Sequence, residues 1–252
     1  MIVLGFAGPA RVGKSSVTGP LQQIAKMYGW KPFVLSFASP IKEQADSYGY
    51  SKTTNPEKYR NFCQTLGAKA RAKNPNHWLD KWLESLKALI KEEEEDTDGC
   101  PYIVFIDDCR YENEIETIQR LGGKVYFINP GERELPESQA SWRKHESEML
   151  ANHALGNWEK YQSLFNGIIY NDGSIERLNQ WAYDFFNIII HFPGDWDDVC
   201  NCEACNSLTE NRIIDETKLL EDIEKALDNF EQMFEEPHEE EDNDGKANDG
   251  NS

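Results

Sequence analysis

The sequence predicts an α/β fold, a parallel five-stranded sheet flanked by helices, on three observations. Short apolar runs suited to buried strands alternate with stretches of helical spacing. A glycine-rich loop joins the first such strand to the first helix. The clearest buried strand, Tyr102 to Asp108, ends in two aspartates, and the carboxyl ends of strands are where ligands gather in sheets of this kind.

Taken in order, Ile2 to Ala7 is an apolar run, and Ser16 to Tyr28 places Val17, Leu21, Ile24 and Ala25 at helical spacing. Between them Gly8-Pro9-Ala10-Arg11-Val12-Gly13-Lys14-Ser15 fits G-x-x-x-x-G-K-S/T, the phosphate-binding loop, in its proper strand-to-helix context. Glycines let the backbone wrap closely around an anion with its N–H groups pointing inward, and the following helix adds its positive N-terminal end. Gly8, Arg11, Val12, Gly13, Lys14, Ser15 and Ser16 are therefore the candidate nucleotide-binding residues. Lys14 supplies a mobile charge for the β- and γ-phosphates of ATP, and the Ser15 hydroxyl suits Mg²⁺.

A second strand is expected over Phe33 to Ala38, and a helix from Ile41 with Pro40 at a tolerated early position. Further helices are expected from Asn55 to about Lys73 and from His77 to Lys91. The acidic block Glu92 to Asp96, with Thr97, Asp98 and Gly99, reads as an exposed loop. After the strand Tyr102 to Asp108 comes a helix over Glu112 to Leu121, closed by Gly122-Gly123, and then a strand over Lys124 to Ile128. Residues 130–165 are polar, include Arg133, Arg143 and Lys144, and read as a mobile excursion. Gly167 to Tyr170 is a fifth strand and Ser174 to Ile190 a closing helix. Residues 1–192 thus form the expected core.

Beyond Pro193 the composition changes. Residues 193–235 hold a cysteine-containing loop and a helix whose Leu219, Leu220, Ile223, Leu227, Phe230 and Phe234 form one apolar stripe. That stripe packs back on the core or serves a partner, a homodimer contact included. Residues 236–252 read as a disordered acidic tail. Cys200, Cys202 and Cys205, with His191 nearby, offer three or four Zn²⁺ ligands, but their spacing is irregular for a structural site, and reduced free thiols are the competing reading.

Composition narrows the partners. Of 252 residues, 45 are Asp or Glu and 26 are Lys or Arg, a net charge of −19 that disfavours a nucleic-acid backbone or an anionic membrane surface. The chain opens directly on a strand, holds no apolar run of membrane-spanning length, and carries six cysteines. A cytoplasmic protein with reduced thiols is the expectation.

A triphosphate needs an acceptor, and the helix from Asn55 is the best candidate to hold it. Tyr59, Phe62, Leu66 and Ala70 fall on one face; Arg60, Gln64, Gly67 and Arg71 fall on the next. Arginine suits a phosphate monoester through bidentate contacts, and glutamine suits a base edge. A mid-helix glycine costs about 1 kcal/mol relative to alanine, so close approach of a ligand or backbone is expected at Gly67. At the end of the third strand, Asp108 is the candidate to orient Mg²⁺. Arg110 is the candidate to neutralise a transferring phosphoryl group, with Glu114 one helical turn on holding its guanidinium.

Together these residues resemble the phage-type deoxynucleoside monophosphate kinases, a branch of the P-loop nucleotide kinases. The resemblance covers about residues 1–185 and rests on Gly8 to Ser15, Phe37-Ala38-Ser39-Pro40-Ile41-Lys42, the Arg60/Gln64/Leu66/Gly67/Arg71 stripe, Trp78-x-Asp80, Asp108-Cys109-Arg110-Tyr111-x-Asn113-Glu114, His145-x-Ser147-Glu148 and Asn171-Asp172-Gly173-Ser174. It implies ATP-dependent phosphorylation of a deoxynucleoside 5′-monophosphate. By the same resemblance Lys42, Arg60, Gln64, Gly67, Ala68, Arg71, Trp78, Asp80, Arg110 and Glu114 belong to the monophosphate site. Arg143 joins Lys14, Asp108 and Arg110 in catalysis, from a lid over about residues 130–165. Ser15 follows the loop lysine where many relatives carry Asp, and Ala68 stands where they often have a small hydroxyl residue. Two other readings compete. One is a P-loop kinase of another small phosphorylated acceptor, such as phosphomevalonate. The other is a nucleotide-dependent switch working through its C-terminal helix.

Overall fold

The computed structural model describes residues 1–135 and 144–191. Five parallel strands form one sheet: β1 (Ile2–Ala7), β2 (Lys31–Val34), β3 (Tyr102–Cys109), β4 (Lys124–Asn129) and β5 (Gly167–Tyr170), in the order β2-β3-β1-β4-β5. The helices are α1 (Lys14–Met27), α2 (Ser39–Ser47), α3 (Pro56–Lys73), α4 (His77–Glu95), α5 (Glu112–Arg120), α6 (Glu146–Gly156), α7 (Trp158–Tyr161) and α8 (Ile175–His191). Both faces of the sheet are covered, as parallel sheets require. On one face Leu4, Phe6, Ile103, Phe105 and Tyr126 pack under Val17, Leu21, Leu178, Ala182 and Phe186 of α1 and α8. On the other, Val3, Val104, Ile106, Val125 and Phe127 meet Leu79, Leu83, Leu86 and Ile90 of α4 together with Ile115 and Ile118 of α5.

The central pair is not regular. Gly5 pairs with Ile106 and Ala7 with Cys109, so Asp107 and Asp108 together stand opposite the single residue Phe6. That is a β-bulge, one extra residue on β3 where the strand reaches the carboxyl edge.

Several elements differ from expectation. The second strand lies earlier, at Lys31–Val34, because Phe37 and Ala38 turn their amides to the Asp108 carboxylate instead of a neighbouring strand, at 2.9 and 3.0 Å. The acidic block is helical as far as Glu95. Glutamate is a good helix former, and Glu93 is anchored, accepting from the Tyr102 amide at 2.8 Å. Within the span read as a lid, residues 146–156 form α6, and Ala151, Ala154 and Phe165 enter the core. Buried alanines give no strong apolar stripe in the sequence, and so this helix was not expected. Residues 136–143, with Arg143, and residues 192–252, with Cys200, Cys202, Cys205, the Leu219–Phe234 stripe and the acidic tail, lie outside the described residues. No helix among the described residues is long and apolar enough to cross a membrane.

Candidate active site

The β1–α1 loop is bent into a cradle by left-handed backbone at Gly8, Arg11 and Gly13, with φ of 138°, 64° and 102°. The two glycines are there for space as well as conformation. A Cβ on Gly8 would sit 2.7 Å from the Ile128 carbonyl, and one on Gly13 would sit 2.2 Å from Asn171 Nδ2. Distant parts of the chain fix the loop from outside: the Val12 carbonyl accepts from Asn171 Nδ2 at 2.8 Å and from Arg133 Nη2 at 2.7 Å. Lys14 opens α1 and donates to the carbonyls of Gly8 and Pro9 at 2.7 and 2.9 Å. Burial pulls its ammonium down to about 7, and the nearby Arg110 charge adds to the fall, against the opposing effect of Glu148 and the two aspartates.

The loop forms one wall of a cavity of about 590 Å³. Arg11, Gly13, Lys14, Ser15 and Ser16 line that wall, and Lys42, Arg60, Gln64, Gly67 and Arg71, from α2 and α3, line the same cavity. Asp107, Asp108 and Arg110, at the end of β3, and His145, Ser147 and Glu148, at the start of α6, complete the lining. Arg60 and Arg71 of α3 and Arg110, just after β3, therefore line one cavity with the β1–α1 loop. Gly67 is the tight point of α3: a Cβ there would meet Arg71 Nη1 at 3.3 Å and Ile41 Cδ1 at 3.5 Å. Arg71 is held over the Tyr111 ring, 4.0 Å from its centroid.

Other expected residues stand elsewhere. Val12 is buried in the core and contributes its carbonyl, while Gly8 backs against Ile128. Trp78 is 2% exposed and donates its indole N–H to the Gly67 carbonyl at 3.2 Å, joining α4 to α3 and not facing the cavity. Asp80 accepts from Asn74 Nδ2 at 3.1 Å at the start of α4. Neither these two nor Ala68 lines the cavity. Trp78 ties α4 to α3 at this corner, while the second carboxylate oxygen of Asp80, Oδ1, is buried with no hydrogen-bond partner among the described residues.

Two assigned roles shift. The carboxylate beside the Ser15 hydroxyl is Asp107, with Oδ2 at 3.4 Å and Oδ1 accepting from Ser36 Oγ at 2.7 Å. Asp108 is committed to the amides of Phe37 and Ala38 and lies 3.8 Å from Lys42, and burial raises its carboxyl. Glu114 does not hold the Arg110 guanidinium either. It accepts the backbone N–H groups of Arg110 and Tyr111 at 2.8 and 3.2 Å and faces Arg71 at 3.4 Å, while burial pushes it up to about 7. The group that pairs with the Arg110 side chain is Glu148. Burial works against the Arg110 charge, but Glu148 and Asp108 outweigh it and raise the pKa further.

A triphosphate with Mg²⁺ fits this donor set. The loop is curled where side chains would block it, and Ser15 and Asp107 offer a hydroxyl and a carboxylate side by side, oxygen donors of the kind Mg²⁺ takes while keeping its waters. Among the described residues no group of three His, Cys, Asp or Glu side chains could hold a metal alone.

The five-stranded parallel sheet flanked by helices makes the chain an α/β protein. No protein-family model matches the sequence, and no curated protein matches it. Among solved structures the chain is similar to a shikimate kinase from Aquifex aeolicus, at 12% identity over 77% of this chain and 100% of that one, with a TM-score of 0.41. It is also similar to a shikimate kinase from Acinetobacter baumannii in complex with shikimate, at 13% identity, 76% and 94% coverage and a TM-score of 0.40. A dephospho-CoA kinase from Campylobacter jejuni stands at 19% identity, 74% and 96% coverage and a TM-score of 0.37.

Proposed function

We propose that the chain is an ATP-dependent kinase that phosphorylates a deoxynucleoside 5′-monophosphate to the diphosphate. The observation that carries this reading is the single cavity shared by the phosphate-binding loop and the guanidinium residues Arg60, Arg71 and Arg110. ATP, with Mg²⁺ neutralising its phosphates, supplies the γ-phosphoryl group, which leaves the β–γ bridging oxygen and bonds to an oxygen of the acceptor phosphate. The loop amides and Lys14 hold the donor phosphates. Ser15 and Asp107 are the side chains that would hold Mg²⁺, which would supply charge neutralisation at the phosphates. Arg60 and Arg71 hold the acceptor phosphate, and Arg110, between the two sites, offsets charge on the group in transit. An acceptor phosphate oxygen is already a nucleophile, so positioning and positive charge are the demand on the protein. The residue inventory meets that demand.

With Trp78 turned into the protein, the case for a base-bearing acceptor rests on Gln64 and on Tyr59, which line the acceptor side. The alternative of a smaller phosphorylated acceptor is tested in the same experiment. ADP release is measured with each deoxynucleoside monophosphate in turn and with phosphomevalonate. Turnover of at least one deoxynucleotide is expected, with Arg60→Ala and Arg110→Ala each lowering it by about 100-fold or more while ATP still binds. Turnover of phosphomevalonate alone, or full activity in both variants, would overturn the assignment.

A further inference from the structure

Glu148 is an acidic side chain placed against an anion-binding loop, and charge alone would argue against it there. It is 3% exposed, in the first turn of α6, and its two oxygens are used separately. Oε2 accepts the N–H of Ala10, inside the phosphate-binding loop, at 2.9 Å. Oε1 pairs with Arg110 Nη1, and the same guanidinium nitrogen donates to the Ser147 carbonyl at 3.2 Å. One carboxylate, 138 positions along the chain from Ala10, thus joins the donor-side loop to the arginine at the end of β3.

Resting on the two-site reading above, we infer that Glu148 is a positioning residue that sets the spacing between the phosphate-binding loop and the Arg110 guanidinium, so that donor and acceptor phosphates meet in line. A buried carboxylate suits this task because it is rigid when both oxygens are bonded, and a charge-assisted pair is stronger than a neutral one. A purely structural anchor for α6 would need only one of the two contacts. The division of the carboxylate between them is what points to spacing.

Glu148→Gln keeps the shape and one acceptor but removes the charge that holds Arg110. Glu148→Asp keeps the charge and is one methylene too short to span both partners. For both, kcat is expected to fall by about 100-fold, the scale of a misplacement near 1 Å, with the Kd for a non-hydrolysable ATP analogue changing by less than about threefold. The double variant Glu148→Gln/Arg110→Ala is expected to be no slower than Arg110→Ala alone, because the first residue acts through the second. A multiplicative loss in the double variant, or full kcat in Glu148→Asp, would overturn the inference.

A second measurement needs no turnover. Amide hydrogen exchange at Ala10 is expected to speed up by about tenfold or more in Arg110→Ala, since Glu148 loses its second anchor. Unchanged exchange at Ala10 would overturn the coupling. If the wild-type chain turns over no deoxynucleotide, the function proposed above fails while this exchange measurement still decides the role of Glu148.

Discussion

At the scale of single residues, the proposed function makes the ammonium of Lys14 the group on which ATP binding would turn. Held near 7 by burial and by Arg110, it is charged below that pH and increasingly neutral above it. Phosphate oxygens favour the charged form, so affinity for ATP is expected to fall as pH rises from about 7 towards 9, by up to about tenfold per unit. Calorimetric titration of ATP across that range checks it. The same shift has a stability sign. Between about 7 and 10.5 the unfolded chain binds the proton and the folded one does not, so the burden of burying Lys14 is relieved as pH rises through that window. The adjacent aspartates separate two roles that sequence alone cannot. Asp107→Asn is expected to raise the Mg²⁺ concentration needed for ATP binding with little loss of stability. Asp108→Asn takes charge from a buried acceptor of two amides and is expected to cost about 1–3 kcal/mol in urea unfolding. The opposite pairing of outcomes would restore Asp108 as the metal-side carboxylate.

At the scale of elements, α3 carries the argument about the acceptor. Gly67 is buried on the cavity side, under the Trp78 indole and beside Arg71. Gly67→Ala gains up to about 1 kcal/mol of helix propensity, but its methyl group, 3.3 Å from Arg71 Nη1, nudges the guanidinium out of its place. The expected result is an unchanged or slightly raised melting temperature, an acceptor KM up by about tenfold, and an ATP Kd that does not move. A lower melting temperature with unchanged KM would make Gly67 a packing residue only. The α3 stripe was legible because its residues repeat along one helix, where spacing alone fixes the face. Strand β3 was legible for a similar reason, as an uninterrupted apolar run. The loop Ser36–Ala38 was not, since it has the composition of a strand but spends its amides on Asp108. Nor was α6, whose core contacts are made by small alanines that leave little periodic signal.

At the scale of the whole molecule, the cavity is assembled from segments that meet only after the sheet forms. The phosphate-binding loop itself could be read directly, being eight consecutive residues. Its supports could not: Glu148 and Asn171 reach it from 138 and 159 positions away, and nothing local in the sequence marks them as its neighbours. Asn171, just beyond β5, is the cheaper of the two to test. Asn171→Ala removes one of two donors to the Val12 carbonyl and is expected to cost about 1 kcal/mol in global stability, while ATP affinity drops by about tenfold through a looser loop. A matched loss in both, measured by urea unfolding and calorimetry, supports the sheet's far edge as part of the nucleotide site.

The bulge at Asp107 and Asp108 has a consequence for handedness along the rest of that strand. Side chains on a regular strand alternate sides, so an added residue reverses the facing of everything after it unless a bulge absorbs it, as this one does. With the addition, Cys109 is turned into the hydrophobic interior, close against Gly5, and Arg110 towards the cleft. Were the same residues laid out as a regular strand with no bulge, the thiol and the guanidinium would trade faces, putting a permanent cation among hydrocarbons and a neutral sulfur in the cleft.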